Sequence, residues 1–141
     1  MARVEFFAPG LPVGKGRPRA TVRSGVMRLY TPARTRTQEA AIALAARLAM
    51  VGRSVILGPV RTDMVFVLPV PASWPKRRQA LARNGAELPA KKPDLDNLEK
   101  LVLDALNGIV WRDDAQVVEG TKRKIYGDAP GVTVTVEEVA P

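Results

Sequence analysis

Apolar and polar positions along the chain fall into segments of different period, and the periods predict the elements. RVEFFA, residues 3–8, reads as a short first strand. PGLPVGKGRPRATVRSG follows as a Pro/Gly-rich basic loop. VMRLY at 26–30 predicts a brief strand. TPARTRTQEAAIALAARLAM, residues 31–50, predicts a helix: Thr31 caps it, Pro32 sits in its first turn, and alanine and leucine fill the interior. The i, i+3, i+4, i+7 spacing assigns its apolar face to Ala41, Leu44, Ala45 and Leu48. VRTDMVFVLPV, residues 60–70, predicts a strand, and the unbroken run Val65, Phe66, Val67, Leu68 predicts cover on both of its faces. PASWP then makes a turn into a short basic helix near 75–84, where Lys76, Arg77, Arg78 and Arg83 face either DNA or solvent.

A second strong helix runs from Leu95 to Asn107. Leu98, Leu101, Val102, Ala105 and Leu106 form its apolar face, with Leu95 and Leu103 widening it. Its polar stripe is Asn97, Lys100 and Asp104, and Asn107–Gly108 is its stop. IVWRDDAQVVEGTKRKIY passes through a tight loop into a strand. GVTVTVEEVA alternates cleanly, with Val132, Val134 and Val136 on one side, and the last two strands are expected to pair as an antiparallel hairpin. Repeats, low-complexity tracts and an interdomain linker are absent from the sequence. The order of elements predicts a single α+β domain over residues 1–141, a mixed β-sheet packed by helices.

Composition narrows the chemistry. The 141 residues include no histidine and no cysteine, which removes the usual zinc ligands, histidine bases and cysteine nucleophiles. Hydrolysis is left to carboxylates with a hard cation, helped by lysine or arginine. No apolar run reaches the roughly 18 residues of a membrane span. MARVEFFAPG lacks the order of a signal peptide, and absent cysteine makes a reducing cytoplasm the simplest expectation.

The formal charge of +8 is unevenly spread: residues 1–93 hold 17 Lys and Arg against 4 Asp and Glu, residues 94–141 hold 5 against 10. A basic body attracts phosphate, and a local acidic cluster can bind a divalent cation. In the N-terminal loop, Lys15, Arg17, Arg19 and Arg23 are placed to meet phosphates, and glycines let the backbone approach a ligand. The alternative there is a solvated basic loop.

The acidic cluster starts at KKPDLDNLEK, residues 91–100. Asp96 followed by Glu99 fits an acidic capping box, Lys100 and Asp104 fit an i,i+4 pair, and Asp113 and Asp114 fit a turn. These structural readings leave Asp94 without a role. In the functional reading Asp94 and Asp96 share one face of an extended segment. The 109–114 loop returns beside them, and three carboxylates hold one or two Mg²⁺ ions among waters and phosphate oxygens. Lys100, one turn along the helix, reaches the same point and balances transition-state charge. EF-hand spacing fails here, because Leu98 and Glu99 occupy positions that need a ligand and a glycine.

KPDLDNLEKLVLDALNG followed by WRDDAQVVE closely resembles the RusA family of Holliday-junction resolvases, which occur widely in phages and prophages. The strong match covers roughly residues 91–126, and PGLPVGKGRPR with LYTPARTR resembles the opening of phage-type members. The resemblance implies a homodimeric endonuclease that uses Mg²⁺, with Mn²⁺ as a substitute and no organic cofactor. Such an enzyme nicks two opposed strands of a four-way junction symmetrically. It implies Asp94, Asp96 and Asp114 as catalytic acids and metal ligands, and Lys100 as the catalytic lysine. Asp104 matches a further, structural aspartate. Lys91 and Lys92, the basic pair before Asp94, join Lys15, Arg17 and Arg19 as expected DNA contacts. The loop before WRDD is one residue shorter than in some relatives, which leaves Asp113 and Asp114 both open as the third acid. A non-catalytic branched-DNA-binding accessory protein, or a nuclease preferring flaps, stands as the alternative.

Overall fold

In the computed structural model, residues 2–15, 19–23, 25–30 and 33–140 are described. Arg17, Thr31 and Pro32 lie outside them, as do the side chains of Arg19 and Arg23.

The strands are β1 (Arg3–Pro9), β2 (Arg19–Arg23), β3 (Val26–Tyr30), β4 (Val60–Pro69), β5 (Val117–Gly127) and β6 (Gly131–Glu138). The helices are α1 (Ala33–Ala49), α2 (Lys76–Arg83) and α3 (Leu95–Leu106), with a 3-10 turn at Asp114–Gln116. Four strands form one mixed sheet in the order β1-β6-β4-β5, while β2 and β3 pair separately. An α+β fold is therefore present. The stretch expected as one basic loop contains β2, whose partner is β3.

Two expectations about the sheet fail. β5 and β6 do not pair with each other: β4 lies between them, parallel to β5 and antiparallel to β6. Their short connection, residues 128–130, crosses the end of β4, which stops at Pro69 opposite Gly127. β4 is also not covered on both faces. Val60, Thr62, Met64, Phe66 and Leu68 are buried, while the alternate residues, Val65 and Val67 among them, are partly exposed. The uncovered face instead carries a ladder of charges, Arg3–Glu137 at 2.9 Å and Glu137–Arg61 at 2.6 Å.

On the covered face, apolar side chains line up across the strands. Phe6, Val134 and Met64 form one row and Ala8, Val132 and Phe66 another. α3 closes this core with Leu98, Leu101, Val102, Ala105 and Leu106, the face its spacing predicts. α1 closes it with a different face from the one expected: Thr35, Gln38, Ile42 and Ala46 are buried, whereas Leu44 and Leu48 are 58% and 67% exposed. The buried face includes the small side chain of Ala46, while the leucines lie outside the core.

Both rows end on β5 in lysines. Lys122 stands opposite Met64 and Lys124 opposite Phe66. The sheet face that is apolar elsewhere turns cationic at this edge, beneath the acidic start of α3.

Candidate active site at the start of α3

Asp94 is the N-cap of α3. Its backbone is extended (φ −68°, ψ 144°), and its carbonyl accepts the first helical hydrogen bond, from the Leu98 N–H at 3.1 Å. Its carboxylate makes no cap hydrogen bond and is exposed. The expected capping box of Asp96 with Glu99 does not form, because the cap falls two residues earlier. Asp96 instead lies in the first turn, where the helix dipole favours an anion.

β5 supplies what the sequence reading missed. The Lys122 ammonium donates to Asp96 Oδ1 at 3.1 Å and to Glu99 Oε1 at 2.9 Å. The Glu99 hydrogen bond, partly offset by burial and then reinforced by Asp96, raises the Lys122 pKa above the ordinary lysine value. Lys124 donates to the carbonyls of Lys91 at 2.7 Å and Pro93 at 3.1 Å, tying down the backbone that leads into Asp94. The sequence carries only half of this signal: strand alternation places Lys122 and Lys124 on one face, but the register that brings them under α3 comes from the sheet.

The N-terminal loop reaches the same helix. The Lys15 N–H donates to the Asn97 carbonyl at 3.0 Å. Gly14 permits this approach, since a Cβ there would stand 2.8 Å from the Asn97 Cβ. The Lys15 ammonium lies between Glu39 (3.5 Å) and Asp104 (3.3 Å), so a DNA phosphate would compete with two carboxylates for it. Asp104 thus pairs with Lys15 rather than with Lys100, which is exposed on α3 one turn beyond Asp96. A cleft of about 720 Å³ opens beside Asp94 and Asn97, lined also by Arg34, Lys91 and Lys92. Of the basic helix α2, Arg78 is held by Glu87 at 3.0 Å and stacks on Trp74, and Arg83 is held by Asp128 at 2.9 Å.

The two adjacent aspartates after Trp111 have different surroundings. Asp113 caps the 3-10 turn: its carboxylate accepts from the Ala115 N–H at 2.9 Å, and Gln116 completes a capping box. The Gln116 side chain also accepts from the Arg112 N–H at 2.9 Å and donates to the carbonyls of Ile56 and Gly58 at 2.8 and 2.9 Å. Trp111 is buried, and its Nε1–H donates to Asn107 Oδ1 at 2.7 Å. Asp114 is half-buried within the turn and is not the residue that caps it.

Two expectations about the acids fail: α3 begins at Leu95, so Asp94 and Asp96 do not share one face of an extended segment, and among the described residues no three carboxylates stand close enough together to hold one ion. The donors are nonetheless of the kind a hard cation takes, oxygen ligands only. Mg²⁺ is commonly held by one or two carboxylates, completed by waters and substrate phosphates. Asp94 and Asp96 meet that requirement in number and exposure.

A sequence profile described as Endodeoxyribonuclease RusA matches residues 9–137 of the chain. The chain belongs to the RusA family. It is also 36% identical over 139 residues to the uncharacterized protein YqaN of Bacillus subtilis (strain 168), with 97% of each chain covered. As a member of the family it is an endodeoxyribonuclease, a hydrolase acting on DNA. The family implies Holliday-junction resolution, with binding of junction DNA, and its nucleases generally depend on a divalent metal ion. Among the described residues, no helix is long and apolar enough to cross a membrane.

Proposed function

We propose that this chain resolves four-way DNA junctions by paired, symmetric, Mg²⁺-dependent nicks. In this reading residues 1–141 act as one endonuclease domain and two copies act as a homodimer. The observation that carries it is the exposure of Asp94 and Asp96 at the N-terminus of α3, with neither carboxylate engaged in capping the helix. These two are the ligands, and Asp114 is the third acid, which does not stand against them as a preformed three-carboxylate site and would join them only with the cation and DNA bound. The capping duty of Asp113 supports that choice, because it leaves Asp114 as the one of the pair not needed for the turn. A bound divalent cation would polarise the scissile phosphate and acidify a water. Lys100, exposed on the same helix, neutralises charge that builds on the phosphate oxygens. Lys91 and Lys92 bind the flanking backbone from the cleft beside Asp94, with Arg17 and Arg19 as further contacts and Lys15 mainly an organiser of the loop.

Dimerisation finds support in an apolar groove lined by Phe7, Leu44 and Leu48. These side chains belong to edge strand β1 and to the outward face of α1.

The test is a nicking assay on a labelled four-way junction, with linear duplex and flap controls. Wild type should make paired nicks only with the metal present. Asp96→Asn should lower cleavage at least about 100-fold while junction affinity stays within a few-fold. Metal-dependent cleavage surviving in Asp96→Asn would refute the ligand assignment, and preferential cutting of flaps would refute the junction.

A further inference from the structure

Lys122 occupies a place that no reading of the motif assigns to a lysine. Its strand position is set by the sheet, opposite Met64 and in line with the core row through Val134. Its ammonium therefore arrives at the start of α3 from a rigid base. There it has two carboxylate partners of different character. Glu99 is sheltered, its side chain 31% exposed, whereas Asp96 is 92% exposed. The Glu99 arm is the more durable one, and the Asp96 arm is open to water and readily exchanged. Asp96 is a short, exposed side chain in the first helical turn.

We propose that Lys122 and the divalent cation compete for Asp96: Lys122 holds this carboxylate until the cation takes it, and stays anchored on Glu99 afterwards. The inference rests on Asp96 being a ligand, as argued above. It adds that the lysine is a positioning residue acting through Asp96 and that its charge opposes the metal. An ammonium about 3 Å from a ligand oxygen lowers cation affinity in two ways, by occupying a lone pair and by repelling the incoming charge.

The experiment measures Mn²⁺ binding without DNA, by the electron paramagnetic resonance of the free ion. Lys122→Met keeps the methylene stem and removes the charge, and it should bind Mn²⁺ roughly fivefold more tightly than wild type. Lys122→Arg, which retains the charge, should stay near wild type. Adding Asp96→Asn to Lys122→Met should abolish the gain. A folded Lys122→Met that binds Mn²⁺ no more tightly than wild type overturns the proposal. If that variant fails to fold, side-chain NMR of the wild-type lysines decides. Mg²⁺ should then shift the Lys122 ammonium signal and leave that of Lys124 in place, and an unmoved Lys122 signal overturns the idea. Metal-dependent junction nicking by wild type together with a flat Lys122→Met result removes this inference alone. Mn²⁺ bound by neither protein, with no nicking, removes the metal assignment and this inference with it.

Discussion

Lys124 shows how a residue distant in sequence governs the approach to Asp94. Its ammonium joins two carbonyls of the 91–93 turn. Charge-assisted hydrogen bonds to backbone carbonyls are among the stronger ones, although partial exposure reduces their weight here. Lys124→Met should cost about 1 kcal/mol in urea unfolding. It should also lower single-turnover junction cleavage by roughly 10-fold, because a displaced Asp94 leaves the productive geometry. Unchanged cleavage would mean that the turn keeps its shape without the lysine. The closeness of Asp94 and Asp96 along the chain, on which the proposed site rests, is legible in KKPDLDN. The lysines beneath them are not, because strand register and not spacing brings residues 122 and 124 to residues 91–99.

The elements differ in how much their own sequence specifies. The apolar face and the stop of α3 are readable, because its apolar positions recur with helical period and Asn107–Gly108 is local chemistry, with Gly108 at φ +78°; its start is not, since the cap is Asp94 and not Asp96. α1 was misread because alanine is nearly neutral as a burial signal, so the leucines dominated a pattern in which Ile42 and Ala46 do the packing. The 3-10 turn separates two adjacent aspartates by task, and this difference can be measured. Asp113→Ala should cost about 1 kcal/mol, the usual value of a lost cap, and retain substantial metal-dependent cleavage. Asp114→Ala should unfold like wild type and lose cleavage. The reverse pattern in paired unfolding and nicking measurements would exchange their roles.

At the scale of the whole molecule two surfaces have opposite characters. Leu44 and Leu48 on α1, with Phe7 on the edge strand, present exposed apolar area, which the proposed homodimer would bury. Leu44→Asp combined with Leu48→Asp should leave the fold intact, since both side chains are exposed, and shift a dimer to monomer in sedimentation velocity. An unaltered dimer would place the interface elsewhere. The net charge of +8 acts over a longer range. Junction affinity should fall steeply as salt rises, as expected when phosphate contacts release counterions. A flat response between about 50 and 200 mM salt would deny a large electrostatic contribution. 

What the chain determines alone follows from covalent neighbourhood. Apolar period sets the span of α3 and the alternation of β6, and the absence of histidine and cysteine confines the chemistry to carboxylates and cations. The tertiary structure decides what depends on contacts between distant residues. β4 enters between β5 and β6, although their short connection resembles a hairpin, and this pairing depends on contacts between strands far apart in sequence. The same insertion fixes the register that carries Lys122 to Asp96 and Glu99. A one-residue slip of β5 would turn both lysines to the opposite face, and the start of α3 would lose its cationic support.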